Sequence, residues 1–186
     1  MAELILPRFI CDEIVAHARQ GAPEEVCGIL SGQGHVAMGL YRARNVAPSR
    51  FIDYVVDDQT LLRQFEFEER GQSMVAIYHS HTESPAFPSA TDARQAYYPD
   101  SAYIICSLQR PERPVIRAFR LIQGSPQRLD REQIPSDATP VRGNSSFLAR
   151  YVGDGHCGRY DLYTLSPEQE AEWLPCHVYE VAILIV

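Results

Sequence analysis

Residues Met74–Tyr78 form a short, nearly continuous apolar run that passes directly into His79-Ser80-His81. A run of that length between chain breakers predicts a central strand buried on both faces. Its continuation constrains the chain more than any other feature. Side chains two apart on a strand project to the same face, so both imidazoles are delivered to one side of the strand's end. Pro85 and Pro88 then break the chain, and Ser89-Ala90-Thr91-Asp92 opens a helix expected to run to about Tyr97.

Other elements assemble around that strand. Residues 8–20 place Ile10, Ile14, Val15 and Ala18 on one helical face, with Gly21 as the stop. Val26–Ser31 and Val36–Arg42, separated by Gly32-Gln33-Gly34, predict a hairpin. Asp57–Arg70 reads as a second helix, acidic at its start and stopped by Gly71, with Leu61, Leu62 and Phe65 as its apolar stripe. Ala102–Leu108 and Val115–Ile122 predict two further strands. After Gly124 the texture changes. Residues 125–160 are rich in Ser, Pro, Gly and Asp with little periodicity, and Pro167–Trp173 reads as one or two helical turns. The terminus, Val178–Val186, is strongly β-prone. A free apolar strand there is an aggregation hazard, so it is expected to dock on the core or on a second subunit, which would make the chain a homo-oligomer.

Composition limits the partners. The 186 residues fit a prior of one domain. The net charge is −7, and all 17 basic residues are arginines, so there is neither the basic field that non-specific nucleic-acid binding needs nor a lysine for Schiff-base chemistry. No apolar run approaches the ~18–20 residues of a membrane span, and Met1–Pro7 lacks a basic region followed by an apolar stretch. Five cysteines, Cys11, Cys27, Cys106, Cys157 and Cys176, without a CxxC, read as reduced thiols in a cytoplasmic protein. No nucleic-acid or membrane partner is expected.

The segment from His79 to Asp92 has the pattern H-x-H-x7-S-x2-D. Neutral imidazole suits zinc, a carboxylate can supply a third bond, and three protein ligands leave a fourth position open, as in catalytic zinc sites. Ser89 and Asp92 also spell a capping box, a purely structural device, and the two roles are compatible because a cap fixes the helix that presents the carboxylate. Cys27 reads as buried packing, His17 and His35 as surface histidines, and the pairs His156-Cys157 and Cys176-His177 as ordinary residues of the tail.

Together with Pro23-Glu24-Glu25-Val26-Cys27-Gly28, a P-x-E-x-C-G context, the pattern resembles the signature of the JAMM (MPN+) metalloprotease family. The resemblance covers residues 1–124 and leaves 125–186 as an atypical C-terminal extension of unknown role. It implies an α+β fold, a mixed sheet flanked by helices, and one zinc per chain on His79, His81 and Asp92. It further implies Glu25 as the general base, with Glu24 as the fallback, and Ser89 as the group that holds the oxyanion. Within the family the likeness is to bacterial peptidases acting on small ubiquitin-like sulfur carriers. That implies hydrolysis at a carrier's C-terminal Gly-Gly with release of an amino acid such as cysteine. The alternatives are a broader deubiquitinase-like isopeptidase and a non-catalytic scaffold of the same fold.

Overall fold

The structure is a computed structural model that describes residues 3–167 and 170–186. These residues form two compact units. The first holds the described residues up to Phe87, together with Asp100–Phe119 and Val181–Val186; the second holds Pro88–Pro99 and Arg120–Glu180.

The first unit is a mixed sheet with helices, the expected α+β class. Its strands are β1 (Glu3–Leu6), β2 (Cys27–Gln33), β3 (Val36–Ala43), β4 (Ser73–His81), β5 (Ala102–Ser107) and the start of β6 (Val115–Gln123). β2 pairs antiparallel with β3 and with β4, β4 runs parallel to β5, and β5 pairs antiparallel with β6. β4 is the apolar run read from the sequence. It is buried from Val75 onward and stays in strand conformation through both histidines. Helix α1 (Arg8–Gly21) buries Ile10, Cys11, Ile14 and Ala18 in the main core, beside Leu4, Leu30, Tyr78 and Ile104. Gly28 is fixed by crowding. A Cβ there would come within 2.4 Å of both the Tyr41 carbonyl oxygen and the Tyr78 ring, so the strand between β3 and β4 has no room for a side chain at that point.

Two helical expectations are corrected here. The segment 57–70 is broken into α2 (Asp58–Leu61) and α3 (Arg63–Glu69). Its buried face is Thr60 and Phe67, whereas Leu62 and Phe65 are each 58% exposed. Asp57 sets the phase, because its carboxylate caps α2 by accepting from the Thr60 N–H and hydroxyl and also accepts from the Arg44 N–H. Phe67 then turns onto Tyr41, 4.9 Å between ring centroids. His17 is not a surface histidine: it is half-buried, and its Nδ1 lies 2.8 Å from the Tyr78 hydroxyl.

The terminal strand belongs to β11 (Glu170–Ile185), and residues 182–185 pair in parallel with β1 of the same chain. Val181 lies in the core cluster, 2% exposed. The hazard of a free apolar strand is therefore met within the chain, and no second copy is needed to cover it.

In the second unit the structure overturns the reading of 125–160 as irregular. This region forms β7 (Gln127–Asp130), β8 (Thr139–Val141), β9 (Asn144–Gly153) and the start of β10 (Cys157–Leu165). β9, β10 and β11 make an antiparallel meander. The expected helical turns over 167–173 are also replaced. Residues 168 and 169 lie outside the described set, and Glu170–Trp173 are strand, paired with β7. Most side chains of β7–β9 are exposed or only half-buried, so the ladder rests on backbone pairing and leaves no two-residue apolar alternation to read. One buried carboxylate, Asp161, is satisfied by the Trp173 indole N–H at 3.0 Å and by Arg159 at 2.8 Å. Among the described residues, no helix is long and apolar enough to cross a membrane. All five cysteines are free thiols.

Candidate metal and catalytic site

His79 and His81 stand at the C-terminal end of β4, both buried. Alternation along the strand turns both rings to one side, and their Nε2 atoms lie 3.1 Å apart. Two nitrogens on one tetrahedral zinc, each at about 2.0–2.1 Å, would sit about 3.3 Å apart, so the spacing fits a shared ion. The Nδ1 of His81 lies 2.8 Å from the Pro85 carbonyl oxygen. A carbonyl only accepts, so Nδ1 carries the hydrogen and Nε2 presents its lone pair. The break at Pro85 thus fixes the tautomer of the imidazole four residues before it. His79 is held from its face by Tyr54, which stacks on it at 4.1 Å between centroids and 16° between planes.

Glu25 lies two residues before β2. The β2–β4 register pairs Cys27 with His79, and continuing it by two residues sets the Glu25 backbone beside His81. Ser80, whose side chain points away from the two imidazoles, locks this junction: its Oγ accepts from the Val26 N–H at 3.0 Å, and its N–H donates to the Val26 carbonyl at 3.0 Å. The Glu25 N–H donates to the Arg50 carbonyl at 2.7 Å, and its carbonyl accepts from the Asn45 side-chain amide at 2.8 Å. Asn45 also ties Ala47, Asp53 and Val55, so one amide organises the loop that carries Tyr54. Glu25 is buried, whereas Glu24 faces outward to Arg50 at 3.3 Å. Cys27 is no nucleophile: burial pushes its thiol up to about 12, with Asp57 and Glu25 adding to the rise.

Ser89 and Asp92 lie in the second unit, at the start of α4 (Ala90–Arg94), which ends three residues earlier than expected. The capping box is real. Ser89 Oγ accepts from the Asp92 N–H at 3.1 Å, and an Asp92 carboxylate oxygen accepts from the Ser89 N–H at 2.7 Å. The cap spends one lone pair of the serine and leaves its proton to donate. A carboxylate offers about four acceptor sites, so capping does not exhaust Asp92 as a ligand. Residues of the extension hold this helix. The Tyr160 hydroxyl donates to the Pro88 carbonyl at 2.8 Å, Gln123 donates to the carbonyls of Ala93 and Arg94, and the Arg94 guanidinium covers the Phe147 ring. His79, His81 and Asp92 each offer one ligand atom, and these atoms all lie within 4.8 Å of one another. The three side chains could hold a metal ion.

Tyr54, Asn45 and Ser80 were not singled out in the sequence. For Ser80 the signal was present, since the residue between two same-face histidines must point the other way. For Tyr54 and Asn45, on an irregular loop, no spacing rule applied.

A profile of the prokaryotic homologs of the JAB domain matches residues 7–122. The CysO-cysteine peptidase of Mycobacterium tuberculosis is 32% identical over 124 residues, spanning 66% of this chain and 85% of that one. The desampylase of Haloferax volcanii is 39% identical over 103 residues, 52% of this chain and 74% of that one. The solution structure of a Desulfitobacterium hafniense protein superposes with a TM-score of 0.57 at 34% identity, covering 63% of this chain and 83% of its own.

Proposed function

The chain belongs to the family of prokaryotic homologs of the JAB domain, and from that premise we propose that it is a zinc metallopeptidase of small ubiquitin-like sulfur carriers. It hydrolyses the amide bond at the carrier's C-terminal Gly-Gly and releases an amino acid such as cysteine. Residues 1–124 form the peptidase domain in this reading, the protein works in the cytoplasm, and 125–186 are an extension outside the family's span.

His79, His81 and Asp92 would hold one zinc. When bound, zinc supplies a positive charge that acidifies water to a pKa near 7 and polarises the scissile carbonyl. Glu25, buried and held by its own backbone hydrogen bonds, takes the proton from the attacking water and returns it to the leaving amine. Ser89 donates its hydroxyl proton to the oxyanion while its lone pair keeps the cap. The carrier tail, extended and free of side chains at Gly-Gly, suits strand addition at a sheet edge.

The observation that carries this reading is the buried cluster of two imidazoles and a carboxylate in a chain of this family. The likeness to a CysO-cysteine peptidase supports the sulfur-carrier substrate. A broader isopeptidase acting on carrier–protein conjugates is the second reading, supported by the likeness to a desampylase.

The test is mass spectrometry of a carrier–cysteine conjugate incubated with the zinc-loaded protein. Loss of one cysteine residue is expected, slowed by about 10²–10⁴-fold in Glu25→Gln, which removes the base and spares the three ligands. An inert parent, or a Gln variant as active as the parent, contradicts the assignment.

A further inference from the structure

Between Pro85 and Ser107 and the turn after β5, the first unit has a cavity of about 270 Å³ whose charged lining is Arg110, Arg113 and Arg117, with no acidic residue among its walls. This is a local exception in a chain of net charge −7. We propose that the cavity binds the carboxylate of the amino acid on the leaving side of the scissile bond, an inference that rests on the peptidase reading above.

The cavity is built from the same pieces that fix His81. Pro85, in its wall, is the residue whose carbonyl accepts from His81 Nδ1. Ser107, also in the wall, is the register partner of His81 across β4 and β5, and its hydroxyl donates to the Ser84 carbonyl at 2.6 Å. The arginines sit on a constrained frame. The turn between β5 and β6 contains Pro111 and Pro114, closes with the Arg113 N–H donating to the Arg110 carbonyl at 2.8 Å, and is tied to α1 by Arg19 donating to the Pro111 carbonyl at 3.1 Å. Arg117 lies over the Phe119 and Phe87 rings, and its guanidinium donates to the Ala86 carbonyl, so its charge is oriented. Glu112 is on the turn, but it is exposed and outside the lining.

Arginine is the side chain suited to a planar carboxylate. The volume lies just below the usual range of small-molecule sites, which fits one amino acid and not a folded surface. An amino acid joined through its amine to a Gly-Gly tail presents one obligatory charge, its terminal carboxylate. A lysine side chain on the leaving side of an isopeptide bond brings none. The cavity therefore selects terminal adducts of the carrier over its conjugates with proteins.

Binding of two peptides, Gly-Gly-Ser with a free C-terminal carboxylate and the same peptide as its amide, tests this without turnover. Serine replaces cysteine so that no thiol competes for the metal. Titrations followed by NMR use the zinc-loaded Glu25→Gln protein, with and without Arg110→Gln and Arg113→Gln, two exposed positions whose change spares the core. The acid is expected to bind about tenfold more tightly than the amide, and the arginine variant should bring the preference below about twofold. Equal binding of acid and amide, as a cavity for an acidic side chain of the carrier would give, overturns the proposal. So does a preference that survives in the arginine variant, which would place the carboxylate on the metal, or no binding of either peptide at about 10 mM. Failure of the peptidase reading shows separately, as a parent that releases no cysteine from its conjugate.

Discussion

At the scale of single residues, the candidate site is fixed by the atoms around its imidazoles as much as by the imidazoles themselves. His81 takes its tautomer from the Pro85 carbonyl, His79 is faced by Tyr54, and the end of β2 is pinned by Ser80. The sequence displayed the two histidines and the carboxylate plainly, because they belong to one spacing, whereas Glu25 was picked out by the resemblance of its Pro23–Gly28 context to the family's. The sequence hid Tyr54 and Asn45, which act through an irregular loop. His17 shows a different blindness: a polar residue on an amphipathic helix reads as solvated, yet it packs against the Tyr78 hydroxyl. Burial, followed by the nearby Arg42 charge, lowers its pKa from 6.5 to about 4. Between those values the unfolded chain binds the proton and the folded chain does not. This contribution to stability is therefore complete above about pH 6.5, declines as the pH falls toward 4 and is level below. After allowance for the ring's partial exposure, about 1–2 kcal/mol is expected to be lost across that window. Urea midpoints measured at about pH 7.5, 5.5 and 4 should fall more steeply for the parent than for His17→Gln. Parallel curves would remove His17 from the account.

At the scale of elements, β4 and α1 were legible because each carries a periodic apolar face onto one core. The helix at 57–70 was legible in kind but not in phase. Its buried residues, Thr60 and Phe67, are chosen by the Asp57 cap and by the Tyr41 ring, which no pattern of leucines and phenylalanines reveals. The strands of the extension were missed because they bury little, although Gly153-Asp154-Gly155 carried a hairpin signal. Gly155 takes a φ of +86°, and the Asp154 carboxylate accepts from the N–H groups of His156 and Cys157. Those strands hold α4, which carries Asp92. Tyr160 on β10 holds Pro88, one residue before the cap that presents Asp92. Tyr160→Phe removes that one hydrogen bond and is expected to weaken zinc binding about tenfold with little change in Tm. Unchanged affinity in competition with a chelator would show that α4 needs no support from the extension.

At the scale of the whole molecule, the end of the chain groups with its beginning. The last residues, Val181–Val186, group with the first unit, where 182–185 extend the sheet beside β1 and Val181 enters its core. Removing residues 181–186 is expected to cost about 3–5 kcal/mol, from the lost strand pairing and the burial of Val181. For a chain of this size that lowers Tm by roughly 10 °C or more. A truncated protein as stable as the parent would show the terminal strand to be dispensable. The central claim, that two histidines of β4 and the capping aspartate of α4 hold one catalytic zinc, is tested most directly by the metal content of the purified protein. Elemental mass spectrometry should find about one zinc per folded chain, retained in Glu25→Gln and reduced in Asp92→Ala. A folded chain that holds no zinc when zinc is supplied, or an Asp92→Ala protein that holds it as firmly as the parent, would contradict the account.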